Sequence, residues 1–185
     1  MKLNLGAEKC VLPTPEWANL DKVKVHPDVV QHDFRTGLPY PRESVEVVYG
    51  GNFFDHLTYY EALDLLKEIK RVLLPYGKVY FSIMDTDTLI NAYLSHNMEQ
   101  YDRIQPPFFK EFTNSTKFAT FLLGNLSISP EYMGHKMLYT PQSIQELFWK
   151  VELTCHVIEP DFTKEPWCVE NPLYRTSNLY VEGTK

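Results

Sequence analysis

A chain of 185 residues, 44% hydrophobic and 23% charged, can bury a substantial core as one domain spanning residues 1–185. Its net charge of −6 argues against a general binder of phosphate backbones, whose affinity comes from clustered Lys and Arg, so no nucleic-acid partner is expected. No run of ~18 apolar residues is present to form a membrane-spanning helix, and the amino-terminal pattern is that of a strand, not of a signal peptide.

Leu3 to Gly6 reads as a first strand running into a glycine turn, a backbone arrangement that can cradle a nucleotide-like ligand at the carboxyl end of a parallel strand. Pro13 and Pro15 exclude a full helix between Ala7 and Glu16. Ala18 to Asp21 and Asp28 to His32 are short strands, and Gly37 to Pro41 is a turn-rich spacer. Val45 to Tyr49 is β-branched and stops at Gly50-Gly51, as a buried strand would. A helix follows. Thr58 and Glu61 form a capping box, Ala62, Leu65, Leu66, Ile69, Val72 and Leu73 share one face, and Pro75-Tyr76-Gly77 ends it. Lys78 to Met84 is a strand, after which Asp85 or Thr86 can cap a helix reaching about Ser95.

Periodicity fades over 97–134, where Phe108, Phe109, Phe112, Phe118 and Phe121 cluster. This stretch reads as a lid over the carboxyl edge of the sheet or as the core of a small helical insertion. Thr140-Pro141 starts a helix with Ile144, Leu147 and Phe148 inward. Val151 to Ile158 and Asn178 to Glu182 are the last two strands. No helix is legible between them in Glu159 to Ser177, so the final strand need not run parallel. Alternating strands and helices predict an α/β fold: a three-layer, Rossmann-like sandwich with a mostly parallel seven-stranded sheet and an antiparallel last strand.

Two groups look chemical. Asp55 and His56 put an imidazole beside a carboxylate, a pair that can act as general base or can simply start the Thr58 helix, where Asp55 favours the dipole and His56 packs. His135, near Tyr139, is a second candidate base, with a satisfied surface histidine as the plain alternative. Cys10, Cys155 and Cys168 are odd in number and lack Cys-x-x-Cys spacing, which fits reduced thiols in the cytoplasm and gives no zinc site; no metal-ligating set is read from the sequence.

The ordered segments resemble a family. Leu3-Asn4-Leu5-Gly6, Trp17-Ala18-Asn19-Leu20-Asp21, His32-Asp33-Phe34 and Leu38-Pro39-Tyr40 are similar to Leu-Asn-Leu-Gly-Cys-Gly, Gly-Trp-x-Asn-Val-Asp, His-Asp-Leu and Leu-Pro-Phe of the small class I S-adenosylmethionine-dependent methyltransferases (the type 11-like group). Val48 to Leu57 resembles that family's Ile-Tyr-Ser-Ser-His-Val-Leu-Glu-His-Leu, and Arg71 to Gly77 its Arg-Val-Leu-Lys-Pro-Gly-Gly. His135 to Tyr139 and Ser177 to Glu182 also look like family segments.

The resemblance implies S-adenosylmethionine as cofactor and a small-molecule acceptor, with a saccharide hydroxyl as one class. It implies a cofactor site of Asn4, Gly6, Ala7, Asp21, Asp33, Phe34, Gly50 and Asn52, with Asp21 on the ribose and Asp33 on the adenine amino group. The front helix that closes such sites is reduced, and the exposed sheet face would suit a second copy of the chain, a homodimer. Glu8 stands where the family has its second glycine, and Tyr76 replaces another. A carboxylate at Glu8 would face that of the cofactor, and unpaired like charges ~4 Å apart cost on the order of 1–4 kcal/mol. Glu8 therefore separates two readings, an enzyme and a non-catalytic binding module of the same fold.

Overall fold

The seven expected strands form, in a computed structural model that describes residues 1–97, 99, 111–122, 134–169 and 172–185. They are β1 (Lys2–Leu5), β2 (Trp17–Asp21), β3 (Val29–Gln31), β4 (Val45–Gly51), β5 (Leu73–Met84), β6 (Thr154–Val157) and β7 (Asn178–Thr184). One sheet holds them in the order β3-β2-β1-β4-β5-β7-β6. The first five pair in parallel, and β7 runs antiparallel to both β5 and β6. Strand order reverses between β1 and β4, where Leu5 registers with Gly50. Open α/β sheets bind their ligands outside the carboxyl ends of the strands at such a reversal.

Four helices accompany the sheet among the described residues: α1 (Tyr59–Val72), α2 (Thr86–Leu94), α3 (Asn114–Leu122) and α4 (Pro141–Lys150). The α1 capping box closes as expected: Thr58 Oγ1 accepts from the Glu61 N–H, and Glu61 Oε2 accepts from the Thr58 N–H at 2.8 Å. Thr140 and Ser143 do the same for α4, with Pro141 at its first position. Alternation along the strands then assigns two faces. Leu3, Leu5, Val48, Val79, Phe81 and Val181 pack under Leu65, Leu66 and Ile69 of α1 and Ile144, Leu147 and Phe148 of α4. Each such side chain, taken from water into this core, contributes roughly 1.5–3 kcal/mol.

The opposite face carries Trp17, Tyr49, Tyr80 and Tyr180, and among the described residues no α-helix packs in this cluster. Trp167 and Phe162, from the polar segment after β6, cover it together with Leu12. Trp167 meets Tyr49, Tyr80 and Tyr180 edge-on at centroid distances of 5.6, 5.6 and 5.3 Å. The Trp17 indole N–H donates to Glu165 Oε2 at 2.8 Å and pins the same segment. Trp167 and Phe162 thus pack this face from within the chain. Among the described residues of this segment the helical elements are short 3₁₀ turns, Trp167–Val169 and Pro172–Tyr174.

Boundaries differ from expectation at β5 and at β6. Helix α1 ends at Val72 and the chain enters β5 at once, so Pro75-Tyr76-Gly77 lies within a strand whose register shifts against Val45 and Val47. β6 starts at Thr154, because Val151 and Glu152 are used to end α4: both bond back to it through their N–H groups. Of the 97–134 stretch, Phe108 and Phe109 lie outside the described residues. Within it, α3 packs Phe118 on α2, stacked on Tyr93 at 4.4 Å.

A candidate cofactor and acceptor site

β1 ends in a turn that only glycine can enter. Gly6 has φ +69°, and a Cβ there would stand 2.5 Å from Phe53 Cβ. Ala7 donates its N–H to the Leu20 carbonyl at 3.1 Å, and Glu8 donates its N–H to Asp21 Oδ2 at 3.0 Å. Asp21 Oδ1 also accepts from the Val23 N–H at 2.9 Å. The end of β2 therefore ties down the turn that follows β1. Glu8 itself sits at φ +43°, the left-handed conformation that the expected glycine would adopt, with its side chain exposed. Tyr76, the other replaced glycine, also holds a left-handed backbone, at φ +64°.

Asn4, two positions before Gly6, is buried. Its amide donates to the Cys10 carbonyl and to Asn19 Oδ1, both at 2.8 Å, while Asn19 holds both the N–H and the carbonyl of Leu12. This Asn4–Asn19 pair spans registered partners on β1 and β2 and fixes the loop between them.

Asp33 caps the short turn Phe34–Thr36 by accepting from the Arg35 N–H at 3.1 Å, and the Arg35 guanidinium clasps both its oxygens. That guanidinium, with the Arg35 N–H bond, holds the Asp33 carboxyl well below the usual carboxylate range. Phe34 reaches back to Phe53 at 5.2 Å. Phe53 is nearly buried. Its ring also lies over Gly50, where an added Cβ would meet it at 2.9 Å. One aromatic side chain thus spans the ends of β1 and β4 at the reversal point. Asn52, φ +49°, donates its N–H to the Ser82 carbonyl and accepts from Asn178 at 2.7 Å, which joins β4 to β5 and β7.

A second group gathers past the end of β4. Asp55 lies in the turn Phe54–His56, and its carbonyl accepts from the N–H groups of Lys136 and Met137 at 2.9 and 3.1 Å. Those bonds bring in the loop that carries His135. His135 Nε2 stands 3.4 Å from Asp55 Oδ2, and His56 Nε2 stands 3.9 Å from Oδ1. The imidazoles lie 5.1 Å apart, tilted by 51°. Side-chain exposure is 5% for Asp55, 14% for His135 and 16% for His56, so the carboxylate is enclosed while both rings keep an open edge. Tyr139 is buried close by. Burial first, then the Asp55 charge, pushes its phenol well above the ordinary value.

Asp21 and Asp33 thus stand at the tips of adjacent strands β2 and β3, with Phe34 beside them, while Gly6, Ala7, Gly50 and Asn52 border the reversal point. His56 and His135 meet on one carboxylate. Sequence reading paired Asp55 with His56 but left His135 apart, because nothing local signals the Lys136 and Met137 bonds. The Arg35 clasp is a further contact, and its signal in the sequence is the placement of Arg35 two residues after Asp33.

The residue set can be tested against S-adenosylmethionine. The nucleoside end suits it: each oxygen of Asp21 keeps acceptor capacity for a ribose hydroxyl beyond the single N–H it now accepts. The methionine end is more restricted, since the Ala7 and Glu8 N–H groups are already used and Phe53 fills the space over Gly6.

Residues 11–81 match the family model described as a methyltransferase domain, a stretch that begins after the Gly6 turn. No curated protein matches the chain. Among solved structures, the chain is similar to a methyltransferase from Thermotoga maritima described as a possible histamine N-methyltransferase, with 12% identity over 100% of this chain and 81% of that one and a TM-score of 0.58. It is similar to an S-adenosylmethionine-dependent methyltransferase from Mesorhizobium loti, with 13% identity, coverage of 100% and 90%, and a TM-score of 0.57. It is also similar to a structure of Haloferax volcanii Trm112, a methyltransferase activator, in complex with a methyltransferase, with 16% identity, coverage of 99% and 81%, and a TM-score of 0.54. The sequence match over residues 11–81 and the likeness to solved structures place the chain among proteins with the class I S-adenosylmethionine-dependent methyltransferase fold.

Proposed function

We propose that this chain is an S-adenosylmethionine-dependent methyltransferase acting on an oxygen of a small acceptor, with saccharide hydroxyls the first class to test. The carrying observation is the meeting of His56 and His135 on the enclosed Asp55 carboxylate, just past the carboxyl end of β4. The methyltransferase domain and the fold neighbours imply the cofactor. When bound, it supplies a methyl group already activated as a sulfonium.

Asp21 would accept from the ribose hydroxyls, and Asp33 and Phe34 would face the adenine. Asn4, Gly6, Ala7, Gly50 and Asn52 would shape the floor of the site. The remaining work is to hold the acceptor in line and exclude water. A hydroxyl acceptor must also lose its proton, and an imidazole backed by a carboxylate is suited to take it. In this reading His135 or His56 is the base, and Asp55 orients it and stabilises the imidazolium. The reduced thiols suit a cytoplasmic setting.

Calorimetric titration with S-adenosylhomocysteine tests the reading: saturable heat is expected, and no heat at millimolar ligand rejects it. A second reading, a non-catalytic module of the same fold, is favoured by one observation. The N–H groups of Ala7 and Glu8 are spent within the chain under a crevice filled by Phe53. Methyl transfer from labelled cofactor to a panel of sugars separates the two readings once binding is established.

A further inference from the structure

We propose that Asp55, His56 and His135 form a binding site for one divalent transition-metal ion. One ligand atom from each, a carboxylate oxygen and two imidazole nitrogens, lies within 4.8 Å of the others. Two imidazoles and one carboxylate match the ligand preference of zinc and its neighbours, and are unlike the all-oxygen sets that select magnesium or calcium. Bonds of ~2.0–2.2 Å to a shared ion would draw these atoms together by an ångström or so, a shift that side-chain rotation can supply.

Two further observations support an ion here. Asp55 is buried, yet its Oδ1 accepts no hydrogen bond among the described residues. A buried carboxylate oxygen in that state is costly, and a coordinated cation relieves the cost. The Tyr139 hydroxyl, buried nearby, also has no hydrogen-bond partner among the described residues. The backbone prepares the set as well. Lys136 and Met137 bond the Asp55 carbonyl, so the loop that delivers His135 is anchored on the residue that supplies the carboxylate.

Three protein ligands leave at least one position open, as in metal sites that act on a substrate. His56 and His135 keep 16% and 14% of their side-chain surface exposed, so the site is not sealed from solvent. What would occupy it rests on the methyltransferase reading: an oxygen of the acceptor, whose acidity the ion would raise so that its proton passes to solvent, while an imidazole serves as the base in the metal-free protein. The metal site itself does not depend on that reading.

The test uses the full chain and Co2+ as probe. One equivalent is expected to give visible absorption of four- or five-coordinate cobalt, bleached by Zn2+, and a Zn2+ affinity reduced at least tenfold in His135→Gln and Asp55→Asn. His156→Gln, which alters an exposed histidine on β6, should leave it unchanged. Absence of the one-equivalent spectrum, or its persistence in His135→Gln, overturns the proposal. If Asp55→Asn does not fold, Cu2+-loaded wild type decides alone: spin-echo modulation from two imidazoles supports the site, and from fewer than two refutes it. S-adenosylhomocysteine titration of the same metal-free protein reports on the methyltransferase reading separately.

Discussion

Glu8 donates its backbone N–H to Oδ2 of Asp21 at 3.0 Å while holding φ at +43°. The turn after β1 is therefore kept in the conformation of a glycine by a residue that pays steric strain to adopt it, with the carboxylate of β2 as its anchor. Left-handed backbone costs an L-residue roughly 1–2 kcal/mol, and the greater unfolded-state freedom of glycine returns roughly 0.5–1 kcal/mol of that. Glu8→Gly is expected to raise stability by about 0.5–1 kcal/mol, or about 1–4 °C in melting temperature for a chain of this size. Removing an exposed carboxylate, worth about 1 kcal/mol beside the cofactor's own, should also tighten S-adenosylhomocysteine roughly fivefold. Tyr76→Gly is the control: it relieves the same strain at a side chain 84% exposed, and should stabilise without changing affinity.

Asp21 has two duties that separate experimentally. Asp21→Ala removes the acceptor for the Glu8 and Val23 N–H groups as well as the proposed ribose contact. Loss of a carboxylate acceptor for N–H groups costs about 1.5–3 kcal/mol, so binding of S-adenosylhomocysteine should weaken at least tenfold, with a drop in melting temperature. Asp21→Asn keeps one acceptor oxygen and should recover most of the stability but not the affinity. Unchanged affinity in Asp21→Ala would remove Asp21 from the cofactor site.

Stability should depend on pH through Glu68. Its oxygens accept from Arg71 at 2.8 Å and from the Leu38 N–H at 2.9 Å, while Arg71 also donates to the Leu38 and Tyr40 carbonyls. Arg71 first, then the Leu38 N–H, lowers the Glu68 pKa below its ordinary 4.5, against an opposing effect of burial. A depressed folded value means that the contribution is complete above the unfolded pKa and is lost as pH falls through the folded one. In urea titrations, Glu68→Gln should therefore destabilise the protein at pH 7 and differ less from wild type below pH 4. An undiminished difference at low pH would contradict this assignment.

Cys155 is buried behind α4, and burial pushes its thiol up to about 12, whereas Cys10 and Cys168 are exposed. A thiol reagent at pH 8 should label two cysteines in the native protein and three in denaturant, since the thiolate is the reactive form. Rapid labelling of Cys155 in the native state would mean that β6 and β7 open locally.

Trp167 closes the sheet face opposite α1. Replacing it with Ala exposes Tyr49, Tyr80 and Tyr180, and should cost about 3–5 kcal/mol. Sedimentation would show whether the uncovered face then draws two copies together; a stable, monomeric Trp167→Ala protein would show that the Trp17–Glu165 bond suffices to hold the segment.

The residue order alone determined much of this protein. β-branched and apolar runs of strand length, a capping box at Thr58, and Thr140-Pro141 are local signals, so the strands, α1 and α4 could be read from neighbours a few positions apart. The glycine at position 6 was legible for the same reason. Tertiary structure decided what depends on distant partners. The Glu159 to Ser177 segment has no helical period, and its covering role appears only once Trp167 meets the aromatic side chains of three strands. The early end of α1 and the start of β5 at Leu73 follow from pairing with Val45, which outweighs the helical spacing of Leu73. The site divides in the same way. Asp21, Asp33 and the Asp55-His56 pair stand at strand ends that periodicity locates, but Phe53 over Gly6 and His135 on Asp55 arise from contacts across elements, and such contacts leave no local pattern in the chain.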